Sequence, residues 1–201
     1  ALGGVPPPYH RPNSGRPGKG SGAGRGLCGD VHLVSTPAGA RVGDVKVDTS
    51  VRKREVKFDV ALERLAADTE YSLHARVTAD GQGVREFRSR PFKGTDLHEG
   101  RFAFKEEWEP DRLWDLHTPR NTYQVTLSLE EAGERVLDTS FSVRFGYREF
   151  WIDGRDFYLN GSRIFLSAVP LDNAQIGAAL AGYEGARESL ERLKSFGINF
   201  V

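Results

Sequence analysis

The sequence predicts a mainly β protein, in which an antiparallel two-sheet sandwich is followed by a strand–helix–strand unit of the kind that builds α/β barrels. Two observations support this prediction. Apolar and polar residues alternate with period two through about seven segments between residues 31 and 145, as in strands that bury one face. Beyond residue 146 the pattern changes to two hairpin signals, a continuous apolar run, a helical repeat and a second apolar run.

The N-terminal 29 residues are rich in Gly and Pro, and the segment DVHLVS after them is predicted to be a short strand. Such a composition buries little apolar area and predicts irregular backbone. Taken alone it suggests a flexible lead-in, whereas in a longer chain it suggests a loop of a preceding domain. The chain has no methionine and its last residues, SFGINFV, lie within an apolar run. We therefore expect it to be a piece of a longer polypeptide.

The predicted sandwich extends over residues 37–146. Turn signals at Asp80-Gly81 and Ala132-Gly133 separate its strands, as is typical of antiparallel sandwiches. A further strand is predicted for RFAFKEEW. The apolar residues expected to face the core are Val45, Val47, Val56, Phe58, Val60, Leu62, Tyr71, Leu73, Ala75, Val77, Tyr123, Val125, Leu127, Leu129, Phe141, Val143 and Phe145.

Residues 147–201 are predicted to form the second region. The dipeptides Asp153-Gly154 and Asn160-Gly161 suit the central positions of two-residue hairpin turns, because both tolerate positive φ. The run RIFLSAV lacks polar alternation, which predicts a strand at 163–169 that is buried on both faces. A long link then precedes the helix and a single turn follows it, as in α/β barrels, where long links build the active-site end.

The predicted helix spans 183–196, because Tyr183, Ala186, Leu190, Leu193 and Phe196 recur every three or four residues. Glu188 precedes Arg192 by four positions, a favourable order of charges on a helix. Gly197 occupies the position of a left-handed C-terminal cap. The apolar segment INFV then completes a strand–helix–strand crossover.

Composition excludes several classes of function. The chain has 28 basic and 28 acidic residues, so no overall electrostatic attraction to nucleic acid is expected. Its single cysteine, Cys28, rules out an internal disulfide framework but does not establish the compartment. No apolar run is long enough to cross a bilayer. The five histidines lack metal-ligand spacing, so neither a metal site nor another cofactor is predicted.

The spelling G-x-G-x-x-G occurs at Gly24–Gly29. A dinucleotide site requires a strand before this motif and a helix after it. Here a strand follows the motif and none precedes it, so we interpret the segment as a loop.

Aromatic residues are concentrated between 105 and 123, where Trp108, Trp114 and Tyr123 accompany Pro110 and Pro119. They could form a platform for stacking sugars, or they could attach an irregular loop to the sandwich. Large aromatic side chains are more often part of a core than of a binding site. The structural interpretation is therefore favoured.

Two polar residues just beyond the first predicted barrel strand are candidates for contacts with substrate. Asp172 and Asn173 directly follow that strand, at the end where barrel active sites form. Hydrolysis of a glycosidic bond requires two carboxyl groups across the scissile bond, and one acid cannot supply both. The candidate substrate-binding residues are therefore Asp172 and Asn173, with a plain loop role as the alternative, and no catalytic residue is assigned.

Five segments, in order, make the chain resemble family 2 glycoside hydrolases, the group of β-galactosidases, β-glucuronidases and β-mannosidases. The segments are GLCGDVHL, WEPDRLWDLHTPRNTYQVTLSL, VLDTSFSVRFGYREF, FYLNGSRIFLSAV and RLKSFGINFV. Residues 145–148 correspond to the family phrase Phe-Gly-Phe-Arg with Tyr147 in its third position, and residues 159–161 match the first three positions of Leu-Asn-Gly-Lys.

The resemblance implies a domain order and a chemistry. Residues 1–36 correspond to the end of a sugar-binding jelly roll, 37–146 to an immunoglobulin-like sandwich, and 147–201 to the hairpins and first strand–helix–strand of a (β/α)₈ barrel. It implies retaining, exo-acting hydrolysis of β-glycosides, with a carbohydrate substrate as partner, no nucleic acid or membrane, and an oligomeric state that the sequence does not give. The family's two catalytic glutamates follow the fourth and seventh barrel strands, so this piece is expected to be inactive.

The sequence also departs from the family pattern. Cys28 replaces the usual tryptophan, and Ser167 and Ala168 replace an Arg-Gly pair after the first barrel strand. That loop helps to set sugar specificity in relatives, so the sequence does not identify the sugar. The alternative function is a non-catalytic immunoglobulin-like module that binds carbohydrate or protein.

Overall fold

The computed structural model describes residues 33–131, 135–171 and 182–201, which contain twelve strands, one short 3-10 turn and one α-helix. Two compact units are present: Val34–Leu166, and a second that includes 167–171 and 182–201. The strands are β1 (Arg41–Ser50), β2 (Glu55–Glu63), β3 (Glu70–Ala79), β4 (Gln82–Arg88), β5 (Phe92–Lys93), β6 (Arg101–Glu107), β7 (Tyr123–Glu131), β8 (Arg135–Thr139), β9 (Val143–Phe145), β10 (Phe150–Asp153), β11 (Asp156–Leu159) and β12 (Ser162–Ile164), and the helix is α1 (Tyr183–Ser195).

The first unit is an antiparallel β-sandwich, as the alternating pattern predicts. One sheet has the strand order β1-β2-β6, and the other has the order β4-β3-β7-β8, with β5 on β3 and β9 on β7. The pairings within both sheets are antiparallel. The prediction of a mainly β, immunoglobulin-like sandwich is therefore confirmed.

The core lies between the two sheets and comes from alternate positions of the long strands. On β2, residues at 56, 58, 60 and 62 are buried while their neighbours are partly exposed. The same alternation holds on β3 and β7, because successive side chains of a strand point to opposite faces. Of the predicted core residues, Phe58, Leu73 and Leu127 are completely buried.

One predicted core residue is on the surface. Phe141 is 77% exposed, contrary to the prediction. Between the pairs Ser128–Thr139 and Val125–Val143, the three residues that connect β8 to β9 oppose two residues of β7. Such a bulge shifts the side-chain alternation by one position, and a period-two pattern does not register the extra residue.

The described part of the predicted strand DVHLVS, residues 33–35, is not a strand, so that prediction is wrong there. Conversely, strands β4 and β8 were not predicted. On β4, Phe87 is the single buried residue, and β8 has none. Both strands lie at the ends of the second sheet's order, where both faces of a strand can contact water. Edge strands therefore lack the alternation on which the prediction depends.

Both predicted hairpins are present, and they form a separate three-stranded sheet, β10-β11-β12. Asn160 and Gly161 have φ of 51° and 90° and connect the paired residues Leu159 and Ser162, as a type I′ turn requires. In the first hairpin Asp153 pairs with Asp156, so the central residues are Gly154 and Arg155, one position later than predicted.

The prediction of one continuous strand at 163–169 is wrong. The strand ends at Ile164 and lies at the edge of the hairpin sheet, and Phe165 is 83% exposed. The tight Asn160-Gly161 turn directs residues 162–164 into antiparallel pairing with β11, so these residues are not available for a parallel strand. The sequence pattern reported the apolar content of the run but not its hydrogen-bond partners.

The second unit contains a short parallel contact and α1. Ala168 and Phe200 form a parallel bridge, with Val169 N donating to Phe200 O at 3.2 Å. Helix α1 ends at Ser195, and Gly197 just beyond it has a φ of 78°, as predicted for a left-handed C-terminal cap. The Ala168–Phe200 bridge is parallel, as the predicted strand–helix–strand crossover requires. A single bridge does not form the sheet of a barrel. In the described ranges, no helix combines the length and apolar character needed to span a bilayer.

Candidate functional site

The sequence-predicted substrate residues Asp172 and Asn173 lie outside the described residues, so their role stays a prediction. Cys28 and the G-x-G-x-x-G spelling also lie outside. Within the described ranges, no group of three or more His, Cys, Asp or Glu side chains could hold a metal ion. The structural candidate for a functional site is instead the segment through which the chain leaves the sandwich, Phe145–Phe150, which we call the exit segment.

The aromatic residues near the exit segment are structural. Trp108 is 9% exposed, and its ring meets those of Tyr123 and Tyr147 edge-on, with centroids 5.0 and 5.3 Å apart. These are favourable packing geometries. The interpretation of Trp108 and Tyr123 as packing residues rather than as a sugar platform therefore agrees with the structure.

Tyr147 attaches the exit segment to both ends of the connection between β1 and β2. Its side chain is 1% exposed, and its hydroxyl lies 2.6 Å from the Trp108 carbonyl oxygen and 3.1 Å from those of Ser50 and Glu55. Burial, with smaller contributions from nearby carboxylates including that of Glu149, raises the pKa of Tyr147 to about 12. The phenol is therefore protonated at neutral pH and donates its single hydrogen, for which the Trp108 carbonyl oxygen is the nearest acceptor.

Glu149 forms the second attachment. Its carboxylate accepts hydrogen bonds from the Arg52 guanidinium at 2.6 and 2.8 Å, from the Arg52 backbone N–H at 2.9 Å and from the Ser50 hydroxyl at 3.1 Å. Burial alone would raise the pKa of Glu149, but these hydrogen bonds outweigh it and lower the pKa to about 2. The carboxylate is therefore ionised at neutral pH.

Asn160 connects the exit segment to the second hairpin turn. Its Oδ1 accepts from Glu149 N at 2.9 Å, and its Nδ2 donates to Trp114 O at 2.7 Å. Its own backbone N–H donates to Glu149 O at 2.9 Å. Asn160 thus serves both as a turn residue with positive φ and as a bridge from the hairpin sheet to the loop before β7.

Gly146 allows Trp114 to lie directly against the exit segment. A Cβ atom at this position would lie 2.6 Å from Trp114 Cβ, a distance that side chains do not tolerate. Arg148 then places its guanidinium carbon 4.3 Å from the centre of the Trp114 ring, within the range of a cation–π contact. The succession of Gly, Tyr, Arg and Glu therefore has a packing reason at each position.

An open cleft of about 780 Å³ lies beside the exit segment. Its lining includes Arg120, Arg144 and Arg148, together with Thr122, Pro119 and Phe150. We call these three arginines and the space between them the arginine cleft.

One cluster of acidic and basic side chains lies on the outer face of the second sheet. His74 Nε2 is 3.2 Å from Glu86 Oε2, and His74 Nδ1 is 3.4 Å from Glu130 Oε1. Arg88 Nη1 lies 2.5 Å from Glu130, which is 4% exposed. These groups neutralise one another across neighbouring strands, and both ring nitrogens face carboxylates. The cluster therefore has the form of a structural network.

Sequence reasoning found most of the exit segment but not its most connected carboxylate. Tyr147, Arg148 and Asn160 lie within the short family phrases, whereas Glu149 lies in the segment VLDTSFSVRFGYREF without being singled out. Its signal was weak, because an acidic residue beside an arginine in a loop is usually solvated. Its partners Ser50 and Arg52 are about a hundred positions away in the sequence.

No family model matches the sequence, and no curated protein matches it. Among solved structures, the chain is similar to a family 2 β-galacturonidase from Eisenbergiella tayi bound to galacturonate, with 22% identity, a TM-score of 0.55, and coverage of 80% of this chain and 28% of that one. It is also similar to a β-glucuronidase from Bacteroides uniformis, with 23% identity, a TM-score of 0.52, and coverage of 80% and 21%. The chain thus spans less than a third of either protein, and the likeness establishes the fold of that part.

Proposed function

We propose that this chain is the central part of a glycoside hydrolase that resembles family 2 and cleaves β-glycosides at a chain end with retention of configuration. The observation that carries the proposal is the agreement of two independent features. Five sequence segments occur in the family's order, and the fold over 80% of the chain is similar to that of a family 2 β-galacturonidase.

In this proposal the sandwich orients the domains on either side of it. The exit segment supports such a role, because Tyr147, Glu149 and Asn160 hold the start of the hairpin sheet to the sandwich by hydrogen bonds in several directions. Side chains fixed by several partners lose little further freedom when neighbouring parts are added. The predicted domain limits, at 36/37 and 146/147, remain part of the proposal.

Retaining hydrolysis requires two carboxyl groups about 5–5.5 Å apart, one as acid/base and one as nucleophile. We assign neither role to a residue of this chain. Asp172 and Asn173 are proposed to contact the sugar from the loop after the first barrel strand. The 201-residue chain should accordingly fold around its sandwich and lack hydrolytic activity.

The test compares the 201-residue chain with the longer protein that contains it, on 4-nitrophenyl β-glycosides of galactose, mannose, glucuronic acid and galacturonic acid. We expect the longer protein to release nitrophenol from at least one of them and the 201-residue chain to release none. Proton NMR of the first product should show the β-anomer. Turnover by the 201-residue chain would disprove the assignment of the carboxylates, and an α-anomeric first product would disprove retention.

The self-contained core of Val34–Leu166 also suits a second function, that of a non-catalytic immunoglobulin-like binding module. Under this alternative the longer protein would hydrolyse none of the glycosides. The polypeptide beyond residue 201 would then contain no further strand–helix repeats and no Asn-Glu pair. Reading that sequence distinguishes the two functions before any assay.

A further inference from the structure

The arginine cleft carries positive charge that the protein itself does not neutralise. Within the described parts of the chain, Arg120, Arg144 and Arg148 form no ion pair, and Arg148 contacts the Trp114 ring. All three residues are exposed and line one open space of about 780 Å³. Grouping like charges without counter-charges is unfavourable in a folded protein, which suggests that an anionic ligand compensates them.

Two carboxylates also line the cleft, but each has another partner. Asp48 faces Lys57, with Oδ2 and Nζ 3.9 Å apart. Glu149 is bound by Arg52 at 2.6 Å. Both carboxylates thus have a basic partner other than the three arginines, which also outnumber the two acidic residues of the cleft lining, although the whole chain has a formal net charge of +0.

At least one of the arginines is held in place before any ligand arrives. The Arg148 backbone N–H donates to Thr49 Oγ1 at 3.1 Å, and the Thr49 hydroxyl donates to the Arg148 carbonyl at 2.6 Å. The Arg148 guanidinium lies over Trp114, which itself lies against Gly146. Because such a side chain is already ordered, binding an anion to it costs less conformational entropy.

The walls of the cleft indicate the class of ligand. Pro119 and Phe150 present apolar surface, Thr122 contributes a hydroxyl group, and Phe150 is 45% exposed. Sugar rings combine apolar C–H faces with hydroxyl groups, and a uronic acid adds a carboxylate that a guanidinium can bind through two hydrogen bonds. The volume is within the usual range of small-ligand sites, about 300–1,000 Å³.

We propose that the arginine cleft is a non-catalytic binding site for acidic oligosaccharides, with the carboxylates of uronic acid residues paired to Arg120, Arg144 and Arg148. The site lies within the sandwich unit and involves no catalytic group. It is therefore independent of the proposed hydrolase activity, and binding to the 201-residue chain can be measured without turnover.

Isothermal titration calorimetry of the 201-residue chain with a linear trisaccharide of galacturonic acid tests the proposal. The neutral galactose trisaccharide of the same linkage is the control ligand. We expect the acidic trisaccharide to bind with a dissociation constant of about 1 mM or lower, and more weakly as sodium chloride is added, because salt screens exposed charges. The neutral trisaccharide should bind at least about tenfold more weakly, because it lacks the charge-assisted hydrogen bonds.

Single substitutions of arginine test whether the trisaccharide binds in the arginine cleft. Arg144→Gln and Arg148→Gln should each weaken binding about tenfold, whereas Arg85→Gln on β4, away from the cleft, should leave it unchanged. Thermal unfolding of each variant verifies the fold. If Arg148→Gln disturbs the packing of Trp114, Arg144→Gln still tests the site, because no described contact attaches the Arg144 side chain to the core.

Several outcomes would overturn the proposal. They are no binding of the acidic trisaccharide, equal binding of the neutral one, and equal losses for Arg85→Gln and Arg144→Gln. Inorganic sulfate binding as tightly as the trisaccharide would show a general anion site. Tighter binding of a glutamate peptide of equal charge would show that the cleft receives an acidic protein segment.

Discussion

The sandwich and helix α1 have equally clear amphipathic patterns, but they differ in what covers their apolar faces. On β2, β3 and β7 the inward residues are buried almost completely. On α1 no residue is buried: Tyr183 and Leu190 are 68% and 47% exposed, and Phe196, which caps the C-terminus of the helix, is 76% exposed. A pattern thus predicts the element, whereas the contacts that stabilise it depend on a partner surface.

The difference has an energetic meaning. Burying apolar area supplies most of the favourable free energy of folding, at about 25 cal/mol per Å². An isolated helix of 13 residues is marginal in water, because propagation barely repays nucleation. We therefore expect the stability of the described chain to reside in the sandwich, with α1 contributing little.

The sharpest test of this comparison replaces one leucine in each region. Leu127 is 0% exposed within the sandwich core, so Leu127→Ala should lower the free energy of unfolding by about 3–4 kcal/mol through lost transfer energy and a cavity. Leu190→Ala on α1 should change it by less than about 0.5 kcal/mol. Urea denaturation followed by tryptophan fluorescence measures both. Equal losses would mean that α1 belongs to the same cooperative core.

A second prediction concerns the contribution of the exit segment to the free energy of unfolding of the sandwich. Tyr147→Phe removes the hydroxyl that lies within 3.1 Å of three carbonyl oxygens. Because the carbonyl oxygen of Trp108 then loses its buried donor, unfolding should become easier by about 1–3 kcal/mol. Tyr123→Phe, which loses one hydrogen bond to Arg112 O, is the matched control and should cost about 1 kcal/mol. An equal or larger loss for the control would contradict the anchoring role.

A third prediction uses pH. The pKa of Glu149 is lowered from 4.5 to about 2, so its ionised form stabilises the folded state above about pH 4.5. That contribution disappears as the pH falls from about 4.5 towards 2. Glu149→Gln should thus cost about 1–2 kcal/mol at pH 7, allowing for solvent screening, and almost nothing at pH 2.

Denaturation of both proteins across this pH range measures the difference. Glu109→Gln, which removes an ion pair to Arg54 between mostly exposed side chains, is the control and should show little pH-dependent change. A cost of Glu149→Gln that is the same at pH 2 and pH 7 would be incompatible with the charge-based attachment.

The smallest predicted effect lies on α1. Glu188 and Arg192 form an ion pair four residues apart, with Oε1 and Nη2 at 2.9 Å. Glu188→Gln should weaken the helix by about 0.2–0.5 kcal/mol, visible as lower helicity in backbone chemical shifts of 183–195 and invisible in the unfolding of the sandwich. Glu191→Gln, with no such pair in the described residues, is the control. A change in sandwich stability would show that the two regions are coupled.

Local reasoning succeeded for elements whose partners are close in sequence. The Asn160-Gly161 hairpin, the helix with its cap at Gly197 and the inward residues of the central strands were all predicted, because turn chemistry and periodicity are local properties. It failed for the edge strands β4 and β8 and for Phe141, where exposure or a bulge removes the signal. The candidate sugar-contacting pair, Asp172 and Asn173, stays a prediction.

By itself the sequence determined the class of fold, since period-two alternation can be satisfied only by strands that bury one face. It also determined where the alternation ends and the hairpins begin. Only the tertiary structure decided that the run after Asn160 first pairs with β11, and that Glu149 meets Ser50 and Arg52 across about a hundred residues. It also decided that three arginines share one cleft. The reason is physical: side-chain periodicity is set within a few residues, whereas hydrogen-bond and charge partners are set by which distant segments the packed core brings together.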